Sequence, residues 1–195
     1  MIEFDAPTHV YRHEGRVIPS VTQILRAIEN FDFVKPEILE RAREFGRHAH
    51  QATDLFDRGE LDEDSLDVAL VPYLNGWKKC LLETGMVVTH SEQIVHNARM
   101  KYAGTLDKRA TWKGTTWLVD LKSGGVPRSV GAQTSAYQMA LEDKPRRRLC
   151  VQLKPDDYRL IACDKTTDFA LFTSCLNIWN HLNERTNTRD LSEFA

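Results

Sequence analysis

The chain has 195 residues, 42% hydrophobic and 28% charged, with 26 basic against 28 acidic side chains and a net charge of −2. These proportions suit one compact domain and exclude a disordered, collagen-like or low-complexity chain, and no run approaches the ~18 apolar residues of a membrane helix. The near-neutral total does not announce a nucleic-acid binder, although an acidic centre and a basic surface can cancel in such a sum.

The acidic start Met1-Ile2-Glu3-Phe4-Asp5 lacks the basic region and apolar core of a secretory signal, so the expected location is the cytoplasm. Thr8–Arg12 and Arg16–Pro19 read as a small hairpin turning at His13-Glu14-Gly15. Ser20 then caps a helix carrying Val21, Ile24, Leu25 and Ile28. A second helix runs from Pro36, a first-turn residue, through Ile38, Leu39, Phe45 and Leu55, and a third spans about Ser65 to Glu83. After Gly85 the period changes. Met86–Thr89, Gln93–Val95, Tyr102–Trp112 and Thr116–Lys122 read as strands, followed by a helix from about Ser129 to Leu141. Leu149–Leu153 and Tyr158–Ala162 form a further hairpin, and a last helix covers about Thr167 to Glu184. The expected organisation is a single domain: a helical part over about 20–84, a sheet core over about 86–163 and a C-terminal helix over about 167–184. The fold class is α/β or α+β, with a central, mostly antiparallel mixed sheet flanked by helices. Cys80, Cys150, Cys163 and Cys175 stand far apart, giving neither a zinc site nor a disulfide framework, and read as reduced thiols.

The informative stretch runs from Gly104-Thr105-Leu106-Asp107 to Asp120-Leu121-Lys122. If the strands turn at Lys113-Gly114, opposed residues have numbers summing to 227, which places Asp107 opposite Asp120. Such neighbours hold their Cβ atoms ~4.5–5.5 Å apart, near enough for two carboxylates to share one cation. A three-residue loop would break the pairing. Asp120 and Lys122 share a face, while Trp117, Val119 and Leu121 point to the other. The plain alternative is a solvated cross-strand charge cluster.

The order Gly104-x-x-Asp107, Asp120-x-Lys122, Gln133-x-x-x-Tyr137 resembles the RecB-like branch of the PD-(D/E)xK nuclease superfamily. Pro19-Ser20-Val21-Thr22 and Gly46-Arg47-His48-Ala49-His50 also resemble elements upstream of the site in phage-type members. The likeness implies a restriction-endonuclease-like core and a metal-dependent deoxyribonuclease, with an exonuclease of phage or prophage recombination, replication or repair favoured. A structure-specific endonuclease and an inactive DNA-binding or interaction module are the rivals. It implies DNA with a free end as substrate and a single-strand-annealing or replication protein as candidate partner. No iron–sulfur cluster is expected, because the late cysteines are too widely spaced.

Within that resemblance Asp107 and Asp120 bind Mg²⁺ or Mn²⁺, the Leu121 carbonyl adds an oxygen and His50 a nitrogen, which favours Mn²⁺ somewhat. Lys122 orients or deprotonates the attacking water or stabilises charge on the phosphate. Glu92 resembles the accessory acid, and Gln133 with Tyr137 line the same site from one helical face. His48 and His50 cannot point the same way on a helix, and the Gly-x-x-x-His spacing selects His50. Arg41, Arg43, Arg47, Lys108, Arg109 and Arg146-Arg147-Arg148 are candidates for DNA contact or plain surface charge.

Overall fold

The structure is a computed structural model and describes residues 1–29 and 34–183. The chain opens with a three-stranded antiparallel meander, β1 (Ile2–Asp5), β2 (Val10–His13) and β3 (Arg16–Ile18). The β2–β3 turn places Glu14 and Gly15 at φ of 52° and 74°, the left-handed pair that a tight hairpin turn demands. Sequence patterning finds β2 and β3 but not β1, whose Ile2 and Phe4 pack on Tyr11, Ile18 and Ala103. Ser20 closes a reciprocal capping box with Gln23 at the start of α1 (Val21–Leu25). That helix stops short of Ile28, which is exposed.

Helix α2 (Pro36–Asp57) has Pro36 in its first turn, as expected. Helix α3 (Val71–Thr84) begins later than the expected Ser65, after a turn of 3-10 helix at Glu63–Ser65. Pro72 is the reason: without an N–H it is tolerated only in a helix's first turn, so the apolar spacing before it belongs to a loop. Gly85, at φ 68°, ends α3 in the left-handed cap conformation.

Five strands come next: β4 (Val87–Asn97), β5 (Tyr102–Trp112), β6 (Thr115–Lys122), β7 (Arg147–Lys154) and β8 (Asp157–Ala162), paired in that order. β4 is one long strand rather than two short ones, with an irregularity in its pairing between Val88 and His90. β6 and β7 are parallel, joined over α4 (Val130–Ala140), and the other pairings are antiparallel. α5 (Asp168–Asn183) closes the described fold; Glu184, the expected last residue of that helix, lies outside the described residues. The class is mixed α/β with helices on both faces of the sheet, in agreement with the sequence. One core gathers Ile24, Tyr102, Leu106, Leu118, Ala136 and Phe172; the other gathers Trp77, Ala110, Val119, Leu121 and Val151. Among the described residues no helix is long and apolar enough to cross a membrane.

Two features of the sheet position the acidic residues. The β5–β6 ladder has the register expected from a Lys113-Gly114 turn, its partners summing to 227 from Trp112↔Thr115 to Lys108↔Val119. There it stops. β6 runs on beside β7 to Lys122↔Gln152, and β5 runs on beside β4, so the hairpin opens into a fork one residue before Asp107 and Asp120. Along β5, moreover, Tyr102 and Leu106 belong to the first core and Ala110 to the second. Strict alternation would keep all three on one face, so the strand changes sides around Asp107-Lys108.

Candidate metal centre

Asp107 and Asp120 stand at the mouth of this fork, 8% and 1% exposed, which excludes the solvated charge cluster. Beyond the ladder's end the Leu121 N–H has lost its strand partner, and Asp107 Oδ2 accepts it at 2.6 Å. The other oxygen, Oδ1, lies 3.3 Å from His50 Nδ1. His50 is brought there by α2. Its Nε2 is 3.0 Å from the Leu121 carbonyl, which can only accept, so Nε2 carries the hydrogen and Nδ1 is the face turned to the carboxylates. His48 is exposed on the same helix.

Glu92 completes the group. The pairs Ser91↔Lys108 and Gln93↔Leu106 flank it, so it stands across from Asp107 on the neighbouring strand. Its backbone is left-handed, φ 48°, in the middle of β4. A non-glycine residue in that region inside a strand is strained, and such strain persists where the surroundings hold it. Glu92 Oε1 lies 3.9 Å from His50 Nδ1. One ligand atom from each of His50, Glu92 and Asp107 falls within 4.8 Å of the others, so these three can hold a metal ion.

Asp120 does something different. Its Oδ2 pairs with Lys122 Nζ at 2.6 Å, while its Oδ1 is buried with no hydrogen-bond donor. An orphaned buried carboxylate oxygen costs free energy and fits a centre that expects a cation. The Leu121 carbonyl, expected as a metal ligand, lies 3.0 Å from His50 Nε2 and orients that ring. Gln133 Nε2 donates to the Tyr137 hydroxyl at 3.3 Å, both side chains being buried on α4. The Tyr137 ring fills the space over Gly104, where a Cβ would come within 2.6 Å of Cε1. Glycine at that position is therefore required by packing, whereas a Cβ at Gly46 would meet only Ser123 Oγ at 3.7 Å.

Burial and crowding set the electrostatics. Burial opposes charge on the His50 ring, but Asp107, by charge and hydrogen bond, with Glu92 behind it, outweighs this and raises its pKa. Burial likewise opposes the Asp107 carboxylate, yet His50, Lys122 and the Leu121 N–H bring its pKa below the ordinary value. Asp120 goes the other way, pushed up by burial and by the Asp107 charge in spite of Lys122. Glu92 is pushed up to about 7 by burial and by Asp107. Lys122 loses by desolvation and gains more from Asp120 and Asp107, so its ammonium is held protonated above the usual lysine value. Burial, with the carboxylates nearby, keeps the Tyr137 phenol neutral, well above its ordinary pKa. Carboxylates whose environments drive their pKa values apart are a frequent sign of a functional centre.

Several basic residues considered for DNA contact are committed elsewhere. Lys108 is fully buried against Asp57, at 2.8 Å, and Arg148 is buried against Asp168, at 3.0 Å. Arg109 pairs with Asp143, and Arg147 pairs with Asp164 while lying over the Trp117 ring. Arg43 and Arg47 remain exposed on α2 beside Glu40, and Arg41 is exposed on the same helix. A groove of about 390 Å³ starts at His50 and Lys122 and runs between Ile38, Leu39 and Ala42 of α2 and the Ser123-Gly124-Gly125 loop. Sequence reasoning missed Asp57, the partner of Lys108; its only signal is its place seven residues after His50, two turns along one helical face.

No protein-family model matches the chain, and no curated protein matches it.

Proposed function

We propose that the chain is a divalent-metal-dependent deoxyribonuclease of the PD-(D/E)xK superfamily, RecB-like branch, acting as an exonuclease on DNA with a free end. The observation that carries this reading is the convergence, at the open end of the β5–β6 fork, of His50, Glu92 and Asp107 beside the buried Asp120–Lys122 pair. A nitrogen with carboxylate oxygens suits Mn²⁺ or Mg²⁺, the nitrogen inclining the choice toward Mn²⁺. When bound, such an ion supplies charge neutralisation at the scissile phosphate and a more acidic water.

The side chains take distinct roles in this reading. Asp107 and Glu92 offer oxygens and His50 Nδ1 a nitrogen, with the imidazole fixed by its bond to the Leu121 carbonyl. Asp120 contributes its free oxygen and anchors Lys122. Lys122, paired with Asp120, serves as an electrostatic clamp on the phosphate. The Tyr137 phenol and Gln133 amide, neutral donors at the rear of the site, hold its wall and can bond a phosphate oxygen. The groove beside Lys122 gives the substrate a way in.

The test is digestion of end-labelled linear and circular DNA, single- and double-stranded, with Mg²⁺, Mn²⁺ or chelator. Metal-dependent loss of linear DNA alone supports the exonuclease. Cutting of closed circles moves the proposal to an endonuclease with the same centre. Absence of any cleavage, or cleavage undiminished in excess chelator, overturns it.

A further inference from the structure

Lys108 is the neighbour of Asp107 in sequence, and none of its side-chain surface is exposed. Its ammonium pairs with Asp57 Oδ2 at 2.8 Å and donates to Ser91 Oγ at 2.6 Å. Asp57 is itself 4% exposed and accepts the Trp77 indole N–H at 2.8 Å through Oδ1. Each of these partners sits beside a member of the candidate centre. Asp57 is two turns from His50 on one face of α2, Ser91 precedes Glu92 on β4, and Lys108 follows Asp107 on β5.

Stability alone gives no reason for this arrangement. Taking an ammonium and a carboxylate out of water is costly, and a well-packed apolar pair in their place is often no less stable. Val119 lies across from Lys108, and Ala110 and Trp77 belong to the same core as Val119, so an apolar side chain would be at home there. What an apolar residue cannot do is hold polar points in place: the ammonium donates to Ser91 Oγ on a strand and stands in ion-pair contact with Asp57 on a helix, tying both to the Lys108 backbone.

We propose that Lys108 is a positioning residue of the metal centre, one buried ammonium that locks the three ligand-bearing segments α2, β4 and β5 in mutual register through Asp57 and Ser91. It never touches the ion or the substrate. It acts through the backbone to set the spacing of His50, Glu92 and Asp107. This rests on the reading of those three residues as a metal site.

The experiment is a calorimetric Mn²⁺ titration of the full chain, with thermal unfolding followed by circular dichroism on the same samples. Asp57→Asn with Lys108→Met removes both charges while keeping an acceptor for Trp77. The expected result is a folded protein whose Mn²⁺ dissociation constant rises about 10–100-fold, the scale for losing an outer partner of metal ligands. A purely structural role would lower the melting temperature and leave the affinity of the folded molecules unchanged; that outcome overturns the proposal. If the double variant does not fold, Ser91→Ala decides, because it deletes a single hydroxyl: weaker Mn²⁺ binding supports the tether and wild-type affinity overturns it. Wild-type protein that binds no Mn²⁺ would overturn the metal centre and the tether with it, a result distinct from a wild type that binds and variants that bind equally well.

Discussion

Asp107 and Leu121 meet where the β5–β6 ladder ends, the carboxylate accepting the backbone N–H that a strand carbonyl would otherwise take. One oxygen of Asp107 thus belongs to the backbone and the other to His50. Alanine at this position would confuse the two roles, since a buried N–H left unpaired costs about 1–3 kcal/mol. Asp107→Asn separates them, keeping an acceptor for Leu121 while deleting the charge. It should stay folded, with a melting temperature within a few degrees of wild type, and lose at least ~100-fold in single-turnover DNA cleavage. Near-normal cleavage would remove Asp107 from the chemistry.

The two histidines of α2 should behave in opposite ways. His50→Ala takes away the imidazole that faces both carboxylates, so Mn²⁺ binding should weaken by about 10–100-fold and cleavage should fall with it. His48→Ala alters an exposed residue and should leave both unchanged. Parallel calorimetric titrations read the difference, and the reverse order would mean that α2 approaches the sheet in another phase.

Lys122→Met keeps the aliphatic stem and removes the ammonium paired with Asp120. Burial and the Asp107 charge already push the Asp120 carboxyl upward, so without Lys122 it takes a proton rather than unfolding the site. Turnover should drop by roughly 10²-fold, and DNA affinity measured by anisotropy in Ca²⁺ should fall by a smaller factor, because a phosphate contact and part of the carboxylate charge are lost together. A variant that cuts at the wild-type rate would show that the ammonium has no part in the chemical step.

Glu92 carries the clearest pH prediction. Its pKa is pushed up to about 7 in the fold, from an ordinary 4.5, so the folded state holds this proton more tightly than the unfolded chain. Its contribution to stability is therefore present below pH 4.5 and is lost as pH rises to about 7. In metal-free protein at pH 8 Glu92→Gln should raise the melting temperature, by an amount that solvent screening keeps small because the Glu92 side chain is 37% exposed. The gain should shrink toward pH 5. Mn²⁺ needs the ionised carboxylate, so wild-type affinity should decline as pH falls below 7, and Glu92→Gln should bind Mn²⁺ more weakly at every pH. Melting curves and titrations at pH 5 and pH 8 check both halves; a variant less stable than wild type at pH 8 would contradict the assignment.

Gly104→Ala places a methyl 2.6 Å from the Tyr137 ring, so the ring must move or the strand must. The expected cost is about 1–3 kcal/mol, with reduced cleavage as Tyr137 leaves its place. In a Tyr137→Leu background the same substitution should cost much less, and the coupling should appear in a double-mutant cycle of urea unfolding. Additive costs would mean that the glycine is needed for another reason.

How much of this architecture is legible in the sequence depends on how local each signal is. The β5–β6 register is legible because Lys113-Gly114 is a two-residue turn, and both residues do take left-handed φ, 50° and 68°. The α2 start is legible from Pro36, and Pro72, given the same weight, corrects the over-long third helix. Lys108 reads as a candidate DNA contact because basic residues are mostly solvated. Its burial depends on a strand that changes sides near Asp107, which alternation alone does not foresee. Glu92 can be suspected, but not its left-handed backbone, since nothing in Ser91-Glu92-Gln93 asks for a positive φ. Nor can the Leu121 carbonyl's engagement with His50 be read from residues so far apart in the chain.

The fork between β5 and β6 also divides contacts that are local in the chain from contacts that are not. The two strands can zip from their tight turn within about 1–10 μs, and that zipping alone brings Asp107 and Asp120 toward each other. The arm of β6 beyond the fork pairs with β7 across the α4 crossover, a contact with a higher loop-closure cost. His50 comes from still farther away, on α2. The two aspartates thus sit on strands joined by a two-residue turn, whereas the imidazole reaches them across a far longer separation in sequence. A cation held by the imidazole and the carboxylates together would stabilise the folded molecule by mass action.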